Sequence, residues 1–155
     1  MIVKKRIYTD TSVIGGCLDV EFEKDSTALF NSFQTGSVVI VVSDITLAEL
    51  ELAPSAVRDV LNSVPIEHLE LVDFSEKANE LAETYLREGV IPQKCRLDAQ
   101  HIATATENRV DVLVSWNFRQ IVNLNRIRGY NSVNLRLGYP LIEIRSPTEV
   151  LDYED

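Results

Sequence analysis

The sequence predicts an α/β domain in which a parallel sheet is covered by helices on both faces. Three observations carry that prediction. Residues 38–42 (VVIVV) and 110–115 (VDVLVS) are β-branched runs of the kind that pack on both sides of a sheet. Residues 75–88 place Ala78, Leu81, Ala82, Tyr85 and Leu86 at the i, i+3, i+4, i+7, i+8 spacing of one helix face. Strand and helix signals then alternate along the chain, which implies parallel rather than hairpin connections.

The elements follow in order. The opening residues, MIVKKRIYTD, form a first strand with a polar end at Thr9 and Asp10. Gly15 and Gly16 are expected to make a tight turn. Residues 25–34 are helical and stop at Gly36, and the run at 38–42 is the second strand. A helix over 44–52 is closed by Pro54, and a further helix runs to about residue 62. Residues 69–72 (LELV) are a weaker strand candidate. The amphipathic helix of 75–88 ends at Gly89, and another helix covers 96–107. After the strand at 110–115, residues 118–128 are expected to be helical up to Gly129, and residues 141–144 (LIEI) to form a last strand. Ser146, Pro147 and Glu149 then open a short helix, with Ser at the N-cap, Pro at the first position and Glu at the third.

Composition bounds the class of protein. A chain of 155 residues, 45% hydrophobic and 25% charged, is read as one domain, 1–155, able to build a core. No apolar run has the roughly 20 residues of a membrane span, and the N-terminus lacks the apolar stretch of a secretory signal. Cys17 and Cys95 fit no zinc spacing, so a reducing, cytoplasmic setting is expected. The net charge of −9 argues against a general nucleic-acid coat protein. Its distribution is uneven: residues 19–88 hold 15 acidic and 4 basic side chains, whereas residues 94–136 hold 7 basic and 3 acidic ones. A basic segment beside an acidic one can hold a phosphate backbone next to a cation site; it is equally compatible with a solvated surface of uneven composition.

In a parallel α/β sheet the functional site lies beyond the carboxyl ends of the strands. Asp10 directly follows the first strand, Glu49 lies one to two helical turns after the second, and Asn117 follows the strand of 110–115. Asp10 also suits a helix N-cap. Asp98 begins a stripe, continued by Ile102 and Ala105, that otherwise points to the core, with His101 on the same face. An ionised carboxylate there requires a cation or hydrogen bonds, although an early helix position also favours Asp. Three carboxylates and an amide suit a hard divalent ion, Mg²⁺ or Mn²⁺, which can polarise a phosphoryl oxygen and acidify a water. Glu51 competes with Glu49 for this role, but the two point about 200° apart on a helix. His101 reads as a packed helix residue and His68 as solvated. Trp116 can stack a base or lie buried at a strand end. Arg119, near Asn117, is the best phosphate contact, with Arg126 and Arg128 further along the basic segment.

With these residues in place, the chain resembles the PIN-domain family and, within it, the VapC-like toxins of toxin–antitoxin pairs. Four segments carry the likeness: residues 8–13 (YTDTSV), 43–50 (SDITLAEL), 97–105 (LDAQHIATA) and 112–118 (VLVSWNF), with the closing segment 141–155 also fitting. The resemblance implies a PIN-like three-layer α/β/α fold with a twisted, mainly parallel sheet. It also implies a Mg²⁺- or Mn²⁺-dependent ribonuclease with Asp10, Glu49 and Asp98 as acidic ligands, a cognate antitoxin and a homodimer. The family's fourth position is often Asp and here is Asn117, which removes one negative charge. That departure leaves two expectations: an endoribonuclease, or an RNA- or protein-binding module on the same fold. A phosphoacceptor receiver domain, which expects a paired acidic motif after the first strand and a Lys after the fifth, fits poorly, because residues 145–155 contain no Lys and Lys4, Lys5 and Arg6 lie before the first Asp.

Overall fold

A computed structural model describes residues 3–154; Met1, Ile2 and Asp155, at the outer ends of the expected first strand and closing segment, lie outside the described residues. Among the described residues, five strands form one parallel sheet: β1 (Arg6–Thr9), β2 (Val39–Ser43), β3 (Leu69–Val72), β4 (Val112–Val114) and β5 (Ile144–Arg145), in the order β3-β2-β1-β4-β5. The chain builds outward from β1 through β2 to β3, then crosses back to place β4 on the other side of β1. The sheet therefore changes direction between β1 and β4, and a crevice opens beyond the strand ends at such a point. The register sets those ends level: Thr9 lies opposite Val114, and Tyr8 opposite both Val41 and Leu113.

Both faces of the sheet are buried, which is why the strands read as apolar runs. On one face Tyr8, Val41 and Leu113 pack with α5 (Glu76–Arg87), α6 (Arg96–Glu107) and α7 (Leu124–Arg136). On the other, Ile7, Ile40, Val42 and Val114 pack with α1 (Thr11–Gly16), α2 (Glu23–Thr35) and the Val150 end of the chain. Ile7 and Tyr8 point to opposite cores, as the two-residue strand period requires. The helix α3 (Asp44–Glu51) begins directly after β2, with Ser43 and Thr46 bonding each other's backbone as a capping box, and α4 (Ser55–Asn62) follows Pro54. The last helix, α8 (Pro147–Glu154), opens as expected: Glu149 Oε1 accepts from the Ser146 N–H at 2.9 Å, and Ser146 Oγ from the Glu149 N–H at 3.3 Å.

Three expectations from sequence fail, each for a physical reason. Gly15 and Gly16 are not a turn but the end of α1. A Cβ on Gly16 would lie 2.5 Å from Ser26 Oγ and 2.8 Å from the Trp116 indole nitrogen, so that glycine admits a close approach. The helix expected over 118–128 instead runs Leu124–Arg136, capped by Asn123, whose side chain accepts from the Arg126 N–H. Gly129 lies inside it because a Cβ there would meet Val90 at 2.7 Å, and the left-handed glycine that follows the helix is Gly138. The strand expected at 141–144 starts at Ile144, because the Asn131 amide takes both backbone groups of Ile142, at 2.8 and 3.1 Å.

Candidate active site at the β1–β4 crevice

Asp10 is the first residue past β1 and the N-cap of α1, and it is 4% exposed. Its carboxylate does not cap the helix. Oδ1 accepts from Ser12 Oγ and Oδ2 from Ser115 Oγ, both at 2.6 Å, so the segments after β1 and β4 are joined through it. Burial pushes its carboxyl up, against the opposing effects of the His101 charge and the two serine hydroxyls.

Glu49 projects from α3 and its side chain is 30% exposed, whereas Glu51 is exposed on the outer face. Glu49 Oε1 accepts from Thr11 Oγ1 at 2.9 Å and lies 2.5 Å from His101 Nε2. Burial works to raise the Glu49 carboxyl, but the His101 hydrogen bond and charge, with Thr11, hold it below the usual range. Asp98, in the first turn of α6, is half-buried and pushed up to about 6. Burial is the largest cause; the charges of Asp10 and Glu49 add to it, and that of His101 opposes it. The three carboxylates, distant in sequence, therefore share one electrostatic environment.

Asn117 completes the group in an unexpected orientation. Its Nδ2 donates to Asp98 Oδ2 at 3.2 Å, while its Oδ1 accepts from the backbone N–H groups of Arg119 at 3.2 Å and Gln120 at 3.0 Å. The carbonyl oxygen is thus engaged by the backbone, and the amide faces the acidic side chains as a donor.

His101 was expected to be a packed helix residue. It is indeed 2% exposed, but it is also the hub of the site. Nδ1 lies 2.6 Å from Tyr8 Oη, which is 2.8 Å from Ser43 Oγ, so a polar chain runs from buried Ser43 through Tyr8 and His101 to the partly exposed Glu49. The sequence signal was available: His101 is one turn beyond Asp98, on the same face. Other residues of interest are placed elsewhere. His68 is not simply solvated, because Nδ1 bonds the Phe33 carbonyl at 3.0 Å. Trp116 is half-buried and stacks on Phe22, with centroids 4.4 Å apart. Arg119 is exposed beside Asn117 and Arg128 is exposed on α7, while Arg126 donates to the Val90 carbonyl at 2.6 Å.

Among the described residues, no group of three or more His, Cys, Asp or Glu side chains is arranged to hold a metal ion. The donor chemistry nevertheless fits Mg²⁺ or Mn²⁺. Such ions take oxygen donors, keep several waters and need only one or two carboxylates. The elevated Asp98 carboxyl marks a place where a cation would relieve repulsion.

No protein-family model matches the chain, and no curated protein matches its sequence. Solved structures do match. VapBC2 from Rickettsia felis, bound to a DNA fragment from its promoter, superposes with a TM-score of 0.54 at 15% identity, covering 91% of this chain and 98% of that one. FitAcB from Neisseria gonorrhoeae gives 0.58 at 15% identity, covering 91% and 97%. Mycobacterium tuberculosis VapC20, a Sarcin-Ricin loop cleaving toxin, gives 0.55 at 15% identity, covering 73% and 91%. The chain has the PIN-domain fold. At these identities the likeness is one of architecture. In this PIN fold the carboxylate cluster sits where the sheet changes direction, and no helix among the described residues is long and apolar enough to cross a membrane.

Proposed function

We propose that this chain is a metal-assisted endoribonuclease and the toxin half of a toxin–antitoxin pair, dimeric and working in the cytoplasm. The observation that carries the reading is the convergence of Asp10, Glu49 and Asp98, with Asp98 raised by burial and further by the charges of Asp10 and Glu49. The fold shared with VapC20, a Sarcin-Ricin loop cleaving toxin, supports it. So do the matching structures of toxins with their antitoxins, which suggest a cognate antitoxin here.

Asp10, Glu49 and Asp98 would hold the ion, directly or through water. When bound, the cation supplies Lewis-acid polarisation of a phosphoryl oxygen and a more acidic water. The chain's own residues fix the geometry. Ser12 and Ser115 lock the Asp10 side chain, Thr11 and His101 aim Glu49, and the Asn117 amide orients Asp98. Arg119, with Arg126 and Arg128 further off, steers the phosphate backbone.

The decisive variant is Asp10→Asn, a near-isosteric change that removes one charge. We expect it to abolish RNA cleavage in Mg²⁺ or Mn²⁺ while the circular dichroism spectrum is kept; full activity in that variant contradicts the reading. A second reading is an RNA- or protein-binding module of the same fold. One observation favours it: Asn117 brings a donor rather than a fourth carboxylate. Tight RNA binding with no EDTA-sensitive cleavage across a panel of RNAs would select that alternative.

A further inference from the structure

Phe118 is 52% exposed, on the turn that leaves the candidate site, between Asn117 and the exposed Arg119. A lone exposed aromatic is ordinary. This one stands on a turn whose flanking backbone groups are hydrogen-bonded. Besides the two N–H groups held by Asn117 Oδ1, the Asn117 backbone carbonyl accepts from Ile121 at 3.1 Å and Val122 at 2.8 Å. The residue on its other side is equally fixed. The Trp116 backbone N–H donates to Ser12 Oγ at 3.0 Å and its indole N–H to Ser26 Oγ at 2.8 Å. Its ring lies on Phe22 at an interplanar angle of 19°, and Phe118 meets that ring edge-on at 6.1 Å. An exposed ring that meets the secured ring of Trp116 thus stands next to the residue whose amide reaches Asp98.

We propose that Phe118 is a stacking platform for an unpaired nucleobase flanking the scissile phosphate, with Arg119 on the adjoining phosphate. The inference rests on the nuclease reading and adds to it a base-contacting residue, one that takes a base free of a duplex. Bases held within a duplex are stacked on one another and cannot be shared with the ring. A platform fixed beforehand loses little freedom when a base settles on it. Because every base has a π-face, it discriminates strandedness more than sequence.

The test uses the full chain carrying Asp10→Asn, Mg²⁺, and a fluorescent single-stranded RNA of mixed sequence, read by anisotropy. Phe118→Ala should weaken binding about tenfold, within the range of base–aromatic stacking, with Phe118→Trp restoring affinity and Phe118→Leu failing to do so. A ribose-phosphate oligomer of the same length without bases should bind equally well whether or not the chain carries Phe118→Ala. Undiminished RNA binding by Phe118→Ala overturns the platform, and so does an equal loss on the baseless oligomer, which would mark a merely structural role. The two readings fail separately. If the unsubstituted chain cleaves no RNA yet Phe118 still governs base-dependent binding, the nuclease falls and the platform stands. If cleavage is robust and Phe118 is indifferent, the reverse holds.

Discussion

Asp98 shows how a single side chain can be stable to place and costly to ionise. Its position in the first turn of α6 suits a carboxylate, yet burial and the charges of Asp10 and Glu49 lift it to about 6. Because the folded value stands above the ordinary one of 3.8, ionised Asp98 destabilises the fold at neutral pH. That penalty fades as pH falls through 6 and is gone below the unfolded value. Asp98→Asn keeps an acceptor for the Asn117 amide and removes the charge. In EDTA at pH 7.5 it should raise unfolding stability by about 1–2 kcal/mol after solvent screening. The gain should vanish near pH 4 in urea titrations; a gain independent of pH would mean that the charge is not the cause. At this scale the linear pattern offers a partial view. Asp10, Glu49, Asp98 and Asn117 could be named from their positions in the order of strands and helices. The contact of the Asn117 amide with Asp98 and that of His101 with Tyr8 could not, because those partners lie 19 and 93 residues away.

At the level of elements, most helices were legible because their signals are local: an apolar stripe, a cap, a terminating glycine. The helix of residues 96–107 and the strand of 69–72 are found where the periodicity places them. Gly129 misled because a glycine that ends a helix and a glycine that admits a neighbour look the same in one dimension. Gly129→Ala is accordingly expected to destabilise the protein by about 1–3 kcal/mol, through overpacking against Val90. Val90→Ala in the same chain should recover part of that loss in urea unfolding, although alanine has the better helix propensity. An unchanged midpoint in the single variant would remove the packing explanation. The misplaced last strand has a similar origin: the Asn131 side chain, in another element, competes for the backbone of Ile142.

Over the whole molecule, the sheet order brings β1 and β4 together and so gathers residues from four parts of the chain at one crevice. If that crevice holds a divalent ion, binding to the native state alone raises the melting temperature by mass action. Millimolar Mg²⁺ or Mn²⁺ should therefore stabilise the chain beyond an ionic-strength-matched Na⁺ control in thermal unfolding. The difference should be lost when Asp10 and Asp98 are both changed to Asn. The same melting curve in all conditions would show that the acidic cluster takes no ion. The amino-acid order determined the succession of strands and helices, the two-sided burial of the sheet and the acidic residues that follow its strands, since each is written in short-range spacing. Only the tertiary structure decided which of those side chains meet, that a histidine and a tyrosine sit among them, and that the fourth position faces inward as a donor. Hydrogen-bond geometry and mutual charge depend on distances in space, and a linear pattern does not encode them.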